Sequence, residues 1–194
     1  NELSATILQN LHPHIQVVMH SSSMTDSWSH HQKLVVIDDN YAFLGGLDLC
    51  FHRWDTPDHK IIDPESKFFQ GKDYFCNDFN VGSDLHHPFA DYKEVNRLKH
   101  CRLPWHDVSV SVDGLAAADV AKNFVQRWNF IINYKKLRND GLALPAMNGD
   151  NLRPREGSPS RCQITRSIAQ WSVGFAKKEC SILTAMLKEI ADAD

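Results

Sequence analysis

No apolar run in this chain approaches the ~20 residues that a membrane-spanning helix needs. No signal-peptide pattern opens it, and no initiator methionine stands at its start. The chain begins in mid-pattern and reads as a fragment. Cysteine is sparse: Cys50, Cys76, Cys101, Cys162 and Cys180 make five, with no C-x-x-C spacing. An odd, unclustered set excludes a closed disulfide framework and a zinc site, and reads as reduced thiols in a cytosolic protein. Basic charge is not in excess either. Lys and Arg number 21 against 24 Asp and Glu, a net charge of -3, so no global basic field advertises nucleic acid. No internal repeat is found. What remains is ordinary for a folded domain: 194 residues, 42% hydrophobic and 23% charged, enough to bury a sizeable core.

The richest stretch is His31-Gln32-Lys33-Leu34-Val35-Val36-Ile37-Asp38, followed by Gly45-Gly46-Leu47-Asp48. A histidine and a lysine two residues apart lead into an apolar, mostly β-branched run, which reads as a buried strand. Residues i and i+2 of a strand share a face, so imidazole and ammonium project side by side from its start. That pair suits phosphodiester chemistry. Imidazole attacks phosphorus or moves a proton, and ammonium neutralises a non-bridging oxygen. Asp38 has the opposite parity and is expected to fix a turn at Asp38-Asp39-Asn40. The bland alternative for His31 and Lys33 is a polar strand end beside a loop. For Gly45-Gly46 it is a simple turn, and for Asp48 an exposed acid.

Along the chain, Ile15–Met19 is expected as a first strand and Ser21–Ser29 as a polar loop. Leu34–Ile37 and Tyr41–Leu44 form a hairpin around the Asp-Asp-Asn turn. Residues 52–103 show little periodicity and read as a long functional or mobile loop. Val108–Val112 alternates as a half-buried strand. Gly114 then leads into a helix with Val120, Phe124 and Trp128 on one apolar face, and Ala121 and Val125 beside them. Residues 139–160 read as a linker. A short strand near Cys162–Thr165 and an amphipathic helix over Ser181–Ala191 close the chain. The class is α/β, a mixed β-sheet flanked by helices.

The pattern H-x-K-x4-D-x6-G-G resembles the HKD motif of the phospholipase D superfamily. Further blocks look like its eukaryotic phosphatidylcholine-hydrolysing branch. They are Gly45–Cys50, Arg53–Pro57, Pro104-Trp105-His106-Asp107, Phe124–Asn129, and Cys162–Ile164 through Arg166-Ser167. Two positions depart from the family's pattern. His52 replaces the glycine usual before Arg-Trp-Asp, and Asn96–Arg102 differs from the usual approach to Pro-Trp-His-Asp.

The resemblance implies a bilobal fold with one HKD motif per lobe, both meeting at one active site. This chain holds one motif. Residues 1–138 would form the first catalytic lobe, 139–160 a linker, and 161–194 the start of the second lobe, truncated before its motif. His31, Lys33 and Asp38 would belong to the catalytic motif. Gly45, Gly46 and Asp48 would lie on the phosphate side, the glycines allowing close backbone approach. Asp107 would orient the histidine of the second lobe, as the acid of a hydrolase triad does.

The implied reaction hydrolyses the distal phosphodiester of phosphatidylcholine to phosphatidate and choline through a phosphohistidine. His31 is assigned as nucleophile, although the resemblance alone leaves open which histidine attacks. No cofactor or metal is required; some relatives are stimulated by phosphoinositides or calcium. The expected setting is cytoplasmic and peripheral to a phospholipid membrane, with the second lobe as partner and no nucleic acid. Lys135, Lys136 and Arg138 form a basic cluster, read either as a solvated helix end or as a lipid-headgroup contact. Two rival functions stand beside this one. One is a one-motif phosphodiesterase or nuclease that homodimerises; the other is an inactive lobe that binds lipid or a partner.

Overall fold

A computed structural model describes residues 2–20, 28–76, 95–135, 144 and 160–193. Its elements are α1 (Glu2–Leu11), β1 (Lys33–Ile37), β2 (Tyr41–Gly45), β3 (Val110–Asp113), α2 (Gly114–Tyr134), β4 (Ser167–Ile168), α3 (Gln170–Val173), β5 (Glu179–Cys180) and α4 (Ser181–Ala191). Strands β1, β2 and β3 form one sheet in that order, and β4 pairs antiparallel with β5. The class is α/β. The chain divides into two compact units, residues 1–43 with 111–194, and residues 44–110.

In the first unit, β1 and β2 are joined by the turn expected at Asp38-Asp39-Asn40. Asp38 and Asp39 both have positive φ, 50° and 57°, and the Asn40 N–H donates to the Ile37 carbonyl at 3.1 Å. Two successive positive φ values are what a type I′ hairpin turn requires, and short polar side chains tolerate them. Strand β1 is not fully buried, as its apolar run suggested. Val35 and Ile37 stay 49% and 47% exposed, because this apolar strand is covered on one face only.

Gly114 opens α2 at φ 59°, and its N–H donates to the Asn40 carbonyl. The helix buries Ala117, Val120, Ala121, Ile131 and Ile132, but also Asn123 and Arg127. The face read from the sequence is therefore rotated. Phe124 is 40% exposed, and Val125 and Trp128 are half-buried. Polar residues take the inward positions because they have partners there, as described below. Residues Ile15–Met19 are not a strand: none of the described strands pairs with them. The short strand expected near Cys162–Thr165 lies at Ser167–Ile168 instead, opposite β5. Helix α4 has the expected bounds, and α1 is an amphipathic helix that the sequence reading omitted.

The second unit has little regular structure, and buried polar hubs hold it. Asp63 accepts N–H bonds from Lys67, Phe68 and Phe69 and pairs with Arg97 at 3.3 Å, both side chains being buried. Arg102 is fully buried. Its guanidinium lies 3.1 Å from Asp55, donates to the Lys60 and Trp54 carbonyls, and packs over the Phe69 ring. Tyr74 donates its hydroxyl to the His100 carbonyl at 2.8 Å. Within the described residues, the stretch read as a loop is thus a packed body. Its order comes from side-chain hydrogen bonds to backbone, which leave no periodic trace in the sequence. The five cysteines form no disulfide.

Candidate active site

His31 stands exposed immediately before β1, and Lys33 is the first residue of that strand. The Lys33 Nζ donates to the His31 carbonyl at 2.9 Å. The ammonium is thereby tied to the backbone that carries the imidazole. Asp38 lies at the far end of β1, in the turn.

A cavity of about 270 Å³ opens beside His31, lined by Ser29, His30, Gln32, Ser167, Ala169 and Trp171 among others. The part between Ser167 and Ser172 was not singled out from the sequence, although the Arg166-Ser167 block pointed to the region. Behind the motif, a second cavity of about 260 Å³ is lined by His20, His30, Gln32, Asn123, Arg127 and Trp128 among others. Burial drives the His30 pKa down to about 3, helped by the charges of Arg127, His20, Lys33 and His31. His30 is therefore neutral at pH 7. Burial lowers Arg127 to about 10, so it stays a cation, donating to the Ser172 hydroxyl at 2.5 Å.

The second unit carries Gly45, Gly46, Asp48 and Asp107. The Gly46 N–H donates to the Asp107 carboxylate. A Cβ on Gly46 would stand 2.7 Å from Asp107 Oδ1, and one on Gly45 would stand 2.5 Å from the Ser109 hydroxyl. The glycine pair thus makes room for the acid at residue 107 and its neighbour. Asp48 pairs with Arg53 at 3.6 Å, and the Arg53 guanidinium lies 3.8 Å from the Trp105 ring centroid.

Asp55 fixes the block before Asp107 by accepting the Trp105 N–H at 2.7 Å. Burial raises the Asp55 pKa, but hydrogen bonds from His59, Thr56, Arg102 and Trp105 outweigh it and hold the group below the ordinary carboxylate value. His59 Nδ1 lies 2.9 Å from Asp55, and the His106 ring sits 4.5 Å from that of His59. His106 packs here rather than forming part of any second H-x-K pattern.

Lys135 is exposed at the end of α2; Lys136 and Arg138 lie outside the described residues, as does most of 139–160. Among the described residues, no group of three His, Cys, Asp or Glu could hold a metal ion, and no helix is long and apolar enough to cross a membrane.

The family model described as Phospholipase D matches residues 6–191. Phospholipase D A of Dictyostelium discoideum is 41% identical over 189 residues, which cover 96% of this chain and 14% of that protein. Phospholipase D1 of Saccharomyces cerevisiae is 36% identical over 95% of this chain and 12% of its own length. Phospholipase D2 of Bos taurus is 34% identical over 98% of this chain and 23% of the sequence matched. The chain spans less than a quarter of the length of each of these relatives.

Proposed function

This chain belongs to the phospholipase D family, and we propose that it supplies one of two H-x-K-x4-D half-sites of a phosphodiesterase acting on phosphatidylcholine. The observation that carries the reading is the joined pair at the start of β1. An exposed imidazole borders a cavity, and the ammonium two residues on is hydrogen-bonded to its carbonyl. In this reading His31 attacks phosphorus and the P–O bond to choline breaks. The histidine of the second motif gives its proton to the leaving choline oxygen. Water then attacks the phosphohistidine, loses its proton to that second histidine, and releases phosphatidate. Lys33 stabilises charge on the non-bridging oxygens throughout.

The same reading takes residues 1–138 as the first catalytic lobe and 139–160 as a linker. Residues 161–194 then begin the lobe that holds the second motif, and Asp107 orients its histidine. Gly45, Gly46 and Asp48 lie on the phosphate side, and Asp38 closes the motif's hairpin. Lys135 with Lys136 and Arg138 would meet anionic headgroups at a cytoplasmic membrane surface. The chemistry calls for no metal and no redox cofactor.

The experiment compares the complete protein with a strictly monomeric preparation of this chain on phosphatidylcholine vesicles, reading choline release. Release by the complete protein and little or none by the chain alone is expected. Release by the monomeric chain at the complete protein's rate would contradict the half-site reading.

A further inference from the structure

The residue between the two motif side chains is itself held. Gln32 Oε1 accepts a hydrogen bond from Asn123 Nδ2 at 3.0 Å. Asn123 Oδ1 accepts in turn from Arg166 Nη1 at 2.9 Å, and Arg166 also donates to Gln126 Oε1 at 2.7 Å. The Arg166 Nε faces Glu179 at 2.9 Å. The Ser181 hydroxyl closes the far end, accepting from the Arg166 N–H and donating to the Arg166 carbonyl. The line runs from the motif through α2 to the β4–β5 pair and the start of α4, all within the first compact unit.

The direction of this line is fixed by chemistry. A guanidinium only donates, so Asn123 must turn its carbonyl oxygen to Arg166 and its amide nitrogen to Gln32. Gln32 must then offer its oxygen. Asn123 is only 7% exposed, and protein partners meet both ends of its carboxamide. The geometry points to Arg166 as a positioning residue: acting through Asn123, it holds Gln32 by its acceptor oxygen and fixes the backbone that presents His31 and Lys33.

This inference rests on the proposed role of His31. Gln32 is itself exposed, so a purely structural bond there would matter little to the fold. A reacting imidazole is different, because a displacement of about 1 Å can cost up to about 10²-fold in rate.

The test uses the complete protein and phosphatidylcholine vesicles, with kcat and KM measured separately. Gln32→Met, which removes the acceptor, and Arg166→Gln, which removes the charged donor, should each lower kcat about tenfold to a hundredfold and leave KM within about twofold. The double variant should be no slower than the slower single variant. Gln32→Glu retains an acceptor oxygen and should stay near the wild-type kcat.

Wild-type kcat in Gln32→Met would overturn the inference. So would fully additive losses, or losses that merely track unfolded protein by circular dichroism. His31→Asn runs in parallel. If it is inactive while Gln32→Met is normal, only the positioning role fails. If His31→Asn is active, the functional reading fails and the positioning role with it.

Discussion

Gly46 gives its backbone N–H to the Asp107 carboxylate, 61 residues away in sequence, and its missing side chain is the space that carboxylate occupies. Two blocks that look separate in the sequence are one device. The glycine pair at the end of β2 is the seat of the acid that stands shortly before β3.

Gly46→Ala should therefore displace Asp107. Cβ contacts of 2.7 and 2.9 Å to its two oxygens cannot be accommodated without movement. The atoms met are the far end of an exposed side chain, so the shift should cost little stability and be read instead as lowered turnover of the complete protein. Unchanged turnover would show that the carboxylate can sit elsewhere without consequence.

Asp107→Asn should behave differently. An asparagine oxygen still accepts the Gly46 N–H, so the fold should keep most of its stability. On the proposed role of Asp107, turnover of the complete protein should fall, because a charge that would stabilise the second motif's imidazolium is lost. That loss should then be largely non-additive with removal of the second motif's histidine, as for two groups that act as a unit. A double-mutant cycle reads this directly, and additive losses would make Asp107 an ordinary surface acid.

Asp63 should be essential to the second compact unit. It and Arg97 are 3% and 8% exposed, and three backbone N–H groups depend on it. Removing one partner of a buried pair costs about 3–5 kcal/mol, so Asp63→Ala should unfold this unit at much lower urea. Burial raises the Asp63 pKa, but its hydrogen bonds and Arg97 hold it below the ordinary value. Its contribution is thus present above the unfolded carboxyl pKa, about 3.9, and lost as pH falls through the folded value. Proteolysis of residues 44–110 at neutral pH, compared between wild type and variant, checks the substitution.

His30 sets a second pH window. Burial lowers its pKa from the ordinary 6.5 to about 3 in the folded chain, so between those values the unfolded chain binds a proton that the folded one does not. Stability from this group is full above about 6.5 and is lost as pH falls toward 3. Urea midpoints at pH 7.5 and 5 should differ more in wild type than in His30→Gln. Equal differences would mean that His30 protonates freely in the fold.

The sequence made the hairpin legible because its signals are local: a β-branched run and two aspartates able to take positive φ. The bounds of α4 were legible from its apolar spacing. The inward face of α2 was not, because Asn123 and Arg127 are buried by partners at Gln32, Arg166 and Ser172, none of which is near them in sequence. Ile15–Met19 has strand-like composition but pairs with none of the described strands. The described residues between 52 and 103 looked structureless because their order lies in Asp55, Asp63 and Arg102, single polar residues that satisfy distant backbone groups. The histidine–lysine pair was visible as a motif, whereas the cavity wall from Ser167 to Ser172 exists only once the chain has folded back on it.

The most direct test of the central claim is turnover of phosphatidylcholine by the complete protein carrying His31→Asn, with folding confirmed by circular dichroism. Loss of the nucleophile or proton-transfer partner should reduce turnover by at least about 10²-fold. A folded His31→Asn protein that releases choline at the wild-type rate would contradict the assignment of this motif as a catalytic half-site.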